Sequence, residues 1–268
     1  MISLLREKME SGSEDTVTIA ILAKDKAHCL PLYLKCIMAQ TFPKERTYLY
    51  IRTNNNTDTT DKILTNWVNK YGQLYRGVYF DKTRIDAPLE EYKPHQWNSL
   101  RFEILANIRQ ESVRWAQERG SHYFVADCDN FIQPQTIETL MATNLPVVGP
   151  FLITGNSMYS NYHHRVDRNG YFLYNREYYI IYQQSLKGLI AVDVIHCTYF
   201  IRRDILSKVS YLPEENKPFK HEYVIFSENL RKAGIQQYID NRCVYGRITF
   251  ADTSDDLLKE SWLSEFDG

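Results

Sequence analysis

The sequence predicts an α/β fold with a Rossmann-like, largely parallel sheet, and three observations carry that expectation. Apolar runs at residues 16–23 and 48–53 alternate with helix-like stretches, the β-α-β-α order of a parallel sheet. The runs are apolar nearly throughout rather than at every second position, as in strands covered on both faces. A further run, His122-Tyr123-Phe124-Val125-Ala126, stops abruptly at Asp127-Cys128-Asp129-Asn130. That is the pattern of a central strand whose carboxyl end carries a binding site.

Taken in order, residues 1–15 are polar and read as an N-terminal arm, and the fold begins at Thr16 as one domain over 16–268. After the first strand, Asp25 is the expected cap of a helix running to about Gln40. The strand at 48–53 runs into the polar loop Asn54-Asn55-Asn56-Thr57-Asp58, and a helix follows over 60–71. A third strand is expected near 75–80, then an irregular segment with Pro88 and Pro94. Leu105, Ile108, Val113 and Ala116 recur at helical spacing and define a helix over 99–118 that leads into the acidic-tipped strand. Residues 146–151 read as a short strand, and the tyrosine-rich stretch 159–182 as hairpins and loops. The branched, apolar run 189–201 predicts one long buried strand. A helix from His221 through Lys232 closes at Gly234, and the last strand lies near 237–239.

Composition excludes several function classes. A formal net charge of −1 and the lack of any basic run argue against a nucleic-acid or anionic-membrane partner. No segment approaches the twenty apolar residues of a membrane span. The N-terminus turns charged within its first eight residues and does not read as a signal peptide. Five cysteines without zinc spacing read as reduced thiols, so the expected location is a cytosol-like compartment. Twenty tyrosines suggest wet binding surface as well as core.

The acidic tip carries the chemistry. Side chains at i and i+2 of an extended segment point the same way, so Asp127 and Asp129 should face one pocket and Cys128 the other side. Two hard oxygen donors suit Mg²⁺ or Mn²⁺, ions that also take phosphate oxygens, which points to a metal-bridged nucleotide diphosphate. A solvated acidic turn is the competing reading.

Five separated blocks then add a resemblance: residues 21–31 (ILAKDKAHCLP), 96–103 (QWNSLRFE), 124–130 (FVADCDN), 159–162 (YSNY) and 194–201 (VIHCTYFI). Together they resemble the N-terminal catalytic domain of the procollagen galactosyltransferases, glycosyltransferase family 25. The resemblance spans about residues 16–256. It implies a GT-A fold with a mixed central sheet flanked by helices, a UDP-sugar donor, Mn²⁺ (or Mg²⁺), inversion at the transferred sugar and hydroxylysine of a collagen-like protein as acceptor. The donor half would be about 16–130 and the acceptor half about 131–256. UDP-galactose is the expected donor. UDP-glucose transfer to galactosylhydroxylysine is the alternative within enzymes, and an inactive adhesion or scaffold module the alternative outside them.

On this reading Asp127 and Asp129 are metal ligands. Asp252 is the expected third, because Asp252-Thr253 stands where the family shows a histidine-threonine-like element. His196 competes for that place, although alternation with Val192, Val194 and Thr198 suits a hydrogen-bonded core histidine better. The family's acid pair before a helix reads His221-Glu222 here, so Glu222 is the expected general base, with a favourable helix-terminus charge as the competing role. Asp193 is a weaker alternative, since a carboxylate inside an apolar run needs a partner. Donor contacts are expected from Ala23, Lys24, Thr53, Asn54, Asn55 and Cys128, and from Arg101, whose guanidinium matches phosphate oxygens. Trp97 and the tyrosines of 159–182 are expected to line the acceptor groove, with core packing as the equal alternative.

Overall fold

The computed structural model describes residues 15–86 and 98–267. Its first part holds β1 (Val17–Ala23), α1 (Leu30–Met38), β2 (Thr47–Thr53), α2 (Thr60–Tyr71), β3 (Gly77–Asp81), α3 (Ser99–Glu118) and β4 (His122–Ala126). There follow β5 (Asn130–Ile132), α4 (Thr136–Ala142), β6 (Val147–Pro150), β7 (Leu152–Thr154), β8 (Tyr162–His163) and α5 (Arg176–Tyr182). The last part contains β9 (Leu189–Val192), β10 (Val194–Ile195), β11 (Thr198–Ile201), α6 (Glu222–Lys232), β12 (Gln237–Asp240), β13 (Gly246–Ile248) and α7 (Ser254–Leu257).

An eight-stranded mixed sheet in the order β3-β2-β1-β4-β11-β6-β12-β9 forms the centre. Its first four strands are parallel, and β11 runs antiparallel between β4 and β6. The inner strands are buried along their length, which is why β1 and β4 read as unbroken apolar runs. A three-stranded sheet, β5-β13-β7, sits beyond the carboxyl end of β4. There Gly246 passes so close to the Phe131 carbonyl that a Cβ would collide with it. Asn98 caps α3 by accepting from the Arg101 amide, and Gly234 takes the left-handed conformation (φ 68°) just past α6.

Several expectations change. Asp25 caps nothing: it is left-handed (φ 51°), and its carboxylate accepts from Thr57 instead, so α1 starts only at Leu30. The expected single strand over 189–201 is three short ones, interrupted at Asp193 and at Cys197, whose φ of 62° no strand tolerates. Its first part is also not buried, because β9 is the sheet's edge and exposes Leu189 and Ala191. The end of the tyrosine-rich stretch is helical: Asn175 accepts from the Tyr178 amide and starts α5. Strand β12 is not the last, since β13 follows. Residues 1–14, Pro88, Pro94 and Trp97 lie outside the described residues.

Candidate active site

Strand β4 ends at Ala126, and Asp127 to Asn130 form a tight turn in which the Asn130 amide donates to the Asp127 carbonyl at 2.9 Å. The two carboxylates are therefore set by a turn and not by the pleat of an extended segment. Neighbouring backbone fixes that turn: the Asp127 amide donates to the Cys197 carbonyl at 2.9 Å, and the Thr249 amide to the Asp129 carbonyl at 3.0 Å. Cys128 does face the other way, with its thiol 3.5 Å from the Leu22 carbonyl in the core. Both aspartate side chains are about a third or less exposed (31% and 27%), so they sit in a recess rather than on an open surface.

Each carboxylate meets a cation. Arg109 Nη2 donates to Asp127 Oδ1 at 2.7 Å, and its Nε lies 3.4 Å from Glu222 Oε1. Arg109 is only 2% exposed, and its Nη1 has no hydrogen-bond partner. Desolvation works against its charge, yet Asp127, Tyr199 and Glu222 outweigh it and hold the guanidinium protonated. Desolvation pushes the Asp127 carboxyl above its ordinary range, opposed by Arg109 and reinforced by Asp129 and Glu222. On the other acid, Lys26 Nζ donates to Asp129 Oδ2 at 2.7 Å.

Lys26 comes from the loop after β1, which is latched to the loop after β2. The Asp25 amide donates to Asn56 Oδ1 at 2.8 Å, the Lys26 amide to Thr60 Oγ1 at 2.8 Å and the Ala27 amide to Asp58 Oδ2 at 2.9 Å. Near Arg109 and Glu222 lies a cluster of neutral rings. His163 and His196 are buried with ring centroids 4.9 Å apart, and Tyr223 lies 5.6 and 5.3 Å from them. Burial pushes His163 down to about 4 and His196 well below its ordinary value, so both imidazoles are neutral near pH 7. His163 Nδ1 and His196 Nε2 lack hydrogen-bond partners.

Of the residues singled out in the sequence, Asp127, Asp129 and Glu222 are gathered around Arg109 and Lys26. Glu222 opens α6, where its charge suits the helix terminus, and is 7% exposed with Oε1 3.4 Å from Arg109 Nε. Asp252 follows β13 and is exposed; its charge reaches His28, whose ring also feels Lys26 and Asp129. His196 contacts Cys197 instead, its Nδ1 lying 2.9 Å from the thiol. Among the described residues no set of three His, Cys, Asp or Glu side chains is gathered closely enough to hold a cation by itself. Asp193 has the partners it needed, Arg165 and the Val166 amide.

Ala23 and Thr53 are register partners at the ends of β1 and β2. Asn54 is buried, and Asn55 bonds both ends of its amide to the backbone of Ile85. Lys24 pairs with Asp25, and Arg101 lies in the first turn of α3. The functional candidates that sequence reasoning passed over are Arg109, Lys26 and His163. Arg109 carried a usable signal: it lies four residues from both Leu105 and Val113 on the core-facing stripe of α3, where a charge demands a buried partner.

The profile of the glycosyltransferase family 25 N-terminal domain matches residues 14–264. Procollagen galactosyltransferase 2 of Homo sapiens is 31% identical over 240 residues, covering 86% of this chain and 38% of that protein. Inactive glycosyltransferase 25 family member 3 of Mus musculus is 28% identical over 239 residues, covering 86% of this chain and 40% of that protein. The chain thus spans about two fifths of the length of these relatives. Among solved structures, S. aureus TarS 1–349 superposes with a TM-score of 0.55 at 16% identity, covering 87% of this chain and 60% of that one. Its complex with UDP-GlcNAc gives 0.55 at 13% identity, covering 88% and 59%. These likenesses establish the fold as GT-A, a mixed sheet flanked by helices with the acidic turn at the end of its central strand. With the family profile matching residues 14–264, the chain belongs to glycosyltransferase family 25.

Proposed function

We propose that this domain transfers galactose from UDP-galactose to the hydroxyl of hydroxylysine in a collagen-like protein, with inversion, using Mn²⁺ (or Mg²⁺) as its cation. The observation that carries this reading is the acid pair Asp127 and Asp129 at the tip of β4, joined through Arg109 to the buried Glu222. The donor set fits a hard divalent ion: each ion pair engages one oxygen, Oδ1 of Asp127 and Oδ2 of Asp129, and diphosphate oxygens complete such a shell. Asp127 and Asp129 would hold it, with Asp252 brought in from the segment after β13. When bound, the cation supplies Lewis-acid neutralisation of the departing diphosphate.

The chain's own residues do the rest. Glu222 accepts the proton of the acceptor hydroxyl as its oxygen bonds to the anomeric carbon and the bond from that carbon to UDP breaks. Arg109, 3.4 Å from Glu222 and 2.7 Å from Asp127, fixes the two carboxylates relative to each other. The neutral ring cluster around His163, His196 and Tyr223 excludes water beside them.

A second reading, a GT-A module without turnover, is favoured by the 28% identity to a relative named inactive and by the cation already sitting on each acid. Donor turnover separates the two. The protein is incubated with Mn²⁺ and UDP-galactose, UDP-glucose or UDP-GlcNAc, with and without a hydroxylysine peptide, and released UDP is measured. Acceptor-dependent release from UDP-galactose is expected. Release from UDP-glucose alone shifts the assignment to glucosyl transfer, and no release from any donor overturns the enzyme reading. Asp127→Ala and Asp129→Ala should each weaken Mn²⁺-dependent UDP binding by at least about tenfold, the loss of one charged contact.

A further inference from the structure

The two cations on the acid pair are held very differently. Arg109 projects from the middle of α3, is 2% exposed, and is clamped between Asp127 and Glu222. Its guanidinium is hydrogen-bonded to Asp127 and in ion-pair contact with Glu222, so leaving one disturbs the other. Lys26 sits on a loop, its side chain 28% exposed and paired through the ammonium to Asp129, itself 27% exposed. A lysine is a point charge on a flexible stem, held here by a single carboxylate rather than by two. The loop does not depend on that side chain, since its bonds to the second loop are made by the Lys26 amide to Thr60 and the Asp25 amide to Asn56.

We propose that Lys26 is a tethered counter-ion on Asp129 that competes with an entering divalent cation for that carboxylate, so that this residue sets the affinity of the acid pair for the metal. The inference rests on the reading that Asp127 and Asp129 hold such a cation. A Lys26 ammonium 2.7 Å from Asp129 Oδ2 blocks that oxygen, and its charge repels a metal held by the other one. Arg109 is not displaced, because its exit would leave Glu222 and Asp127 both uncompensated. The site is therefore half exchangeable: one built-in cation is structural and one competes with the metal.

The probe is Mn²⁺ alone, without nucleotide, followed by the loss of its free-ion electron paramagnetic resonance signal and by calorimetry. Lys26→Met should bind Mn²⁺ at least about fivefold more tightly than the unsubstituted protein, the factor expected when the single ion pair on Asp129 no longer competes. Lys26→Arg, which keeps a cation on the loop, should stay within about twofold of it. In an Asp129→Asn background the Lys26→Met gain should vanish. Equal or weaker Mn²⁺ binding by Lys26→Met, with Asp129→Asn still abolishing binding, overturns the lysine proposal and leaves the metal reading standing. Mn²⁺ binding that neither Asp127→Asn nor Asp129→Asn alters overturns both. Weaker UDP binding by Lys26→Met without any change for Mn²⁺ identifies a phosphate contact and also overturns the proposal. Circular dichroism confirms that each variant is folded.

Discussion

The two sides of the recess solve the problem of buried polar groups in opposite ways. On the side built by β1, β4 and α3, charges are kept and paired: Asp25 with Lys24, Asp129 with Lys26, and Asp127 and Glu222 with Arg109. On the side built by β8, β10 and Tyr223 of α6, the buried groups other than Glu222 are neutral rings, His163 and His196 against Tyr223, with ring nitrogens left without partners. The difference matches what each side is proposed to meet. Ionic groups suit a diphosphate and its cation, whereas flat uncharged faces suit a sugar and an acceptor side chain. Pairing makes the first side sensitive to the loss of any one charge. Neutrality makes the second side sensitive to acid.

The sharpest break in this contrast is Arg109→Met. Removing the guanidinium leaves Asp127 and Glu222 facing each other without compensation, and losing one partner of a buried pair costs about 3 kcal/mol, the lower end of its range because Asp127 is partly exposed. Urea denaturation should show that loss, and Arg109→Lys should recover part of it by restoring charge without the fork. A loss below about 1 kcal/mol would mean that the network is peripheral to stability.

How much of this contrast was readable beforehand follows from how local its causes are. Strands β1, β2 and β4 and helices α2 and α3 are set by patterns within their own segments, and the helix predicted over 60–71 is the one observed. The run 189–201 failed for the opposite reason. It is broken at Asp193, where the carboxylate turns away to Arg165 and the Val166 amide, and at Cys197, where the Asp127 amide takes the carbonyl of a left-handed residue. Those partners lie 27 to 70 residues away in sequence, so no window over the run contains them. The acid pair and Glu222 were visible as residue types in a pattern. Lys26 was not, because a cation in sequence reads as surface until its carboxylate partner is located, whereas Arg109 was marked only by its place on the core-facing stripe of α3.

The neutral side is tested by pH. An imidazole titrates near 6.5 in the unfolded chain, whereas His163 is pushed down to about 4 by burial in the fold. Between those values the unfolded state binds the extra proton, so stability falls as pH drops from about 6.5 and the loss levels off near pH 4. His196 acts in the same direction. The loss should reach on the order of 3 kcal/mol for His163, read from urea midpoints across that window. His163→Phe removes the titrating group while keeping a ring beside Phe172 and Tyr223, and should flatten the slope. An unchanged slope in that variant would place the acid sensitivity elsewhere.

The smallest effect concerns the loop after β2 and separates two roles for one residue. Sequence pattern suggested Asn55 as a donor contact, but its amide is engaged at both ends: Nδ2 donates to the Ile85 carbonyl at 3.1 Å, and Oδ1 accepts from the Ile85 amide at 2.8 Å. Its backbone is left-handed (φ 45°), a conformation asparagine tolerates better than alanine. Asn55→Ala loses both bonds and adds backbone strain, about 1 to 2 kcal/mol together, while Asn55→Gly loses the bonds but relieves the strain and should cost less. If latching residue 85 is all that Asn55 does, UDP affinity should change less than about threefold in the glycine variant, whose main chain keeps the same path. A tenfold loss of UDP affinity in Asn55→Gly with stability nearly intact would make Asn55 a direct nucleotide contact, and would extend the ionic side of the recess from the acid pair to the second loop.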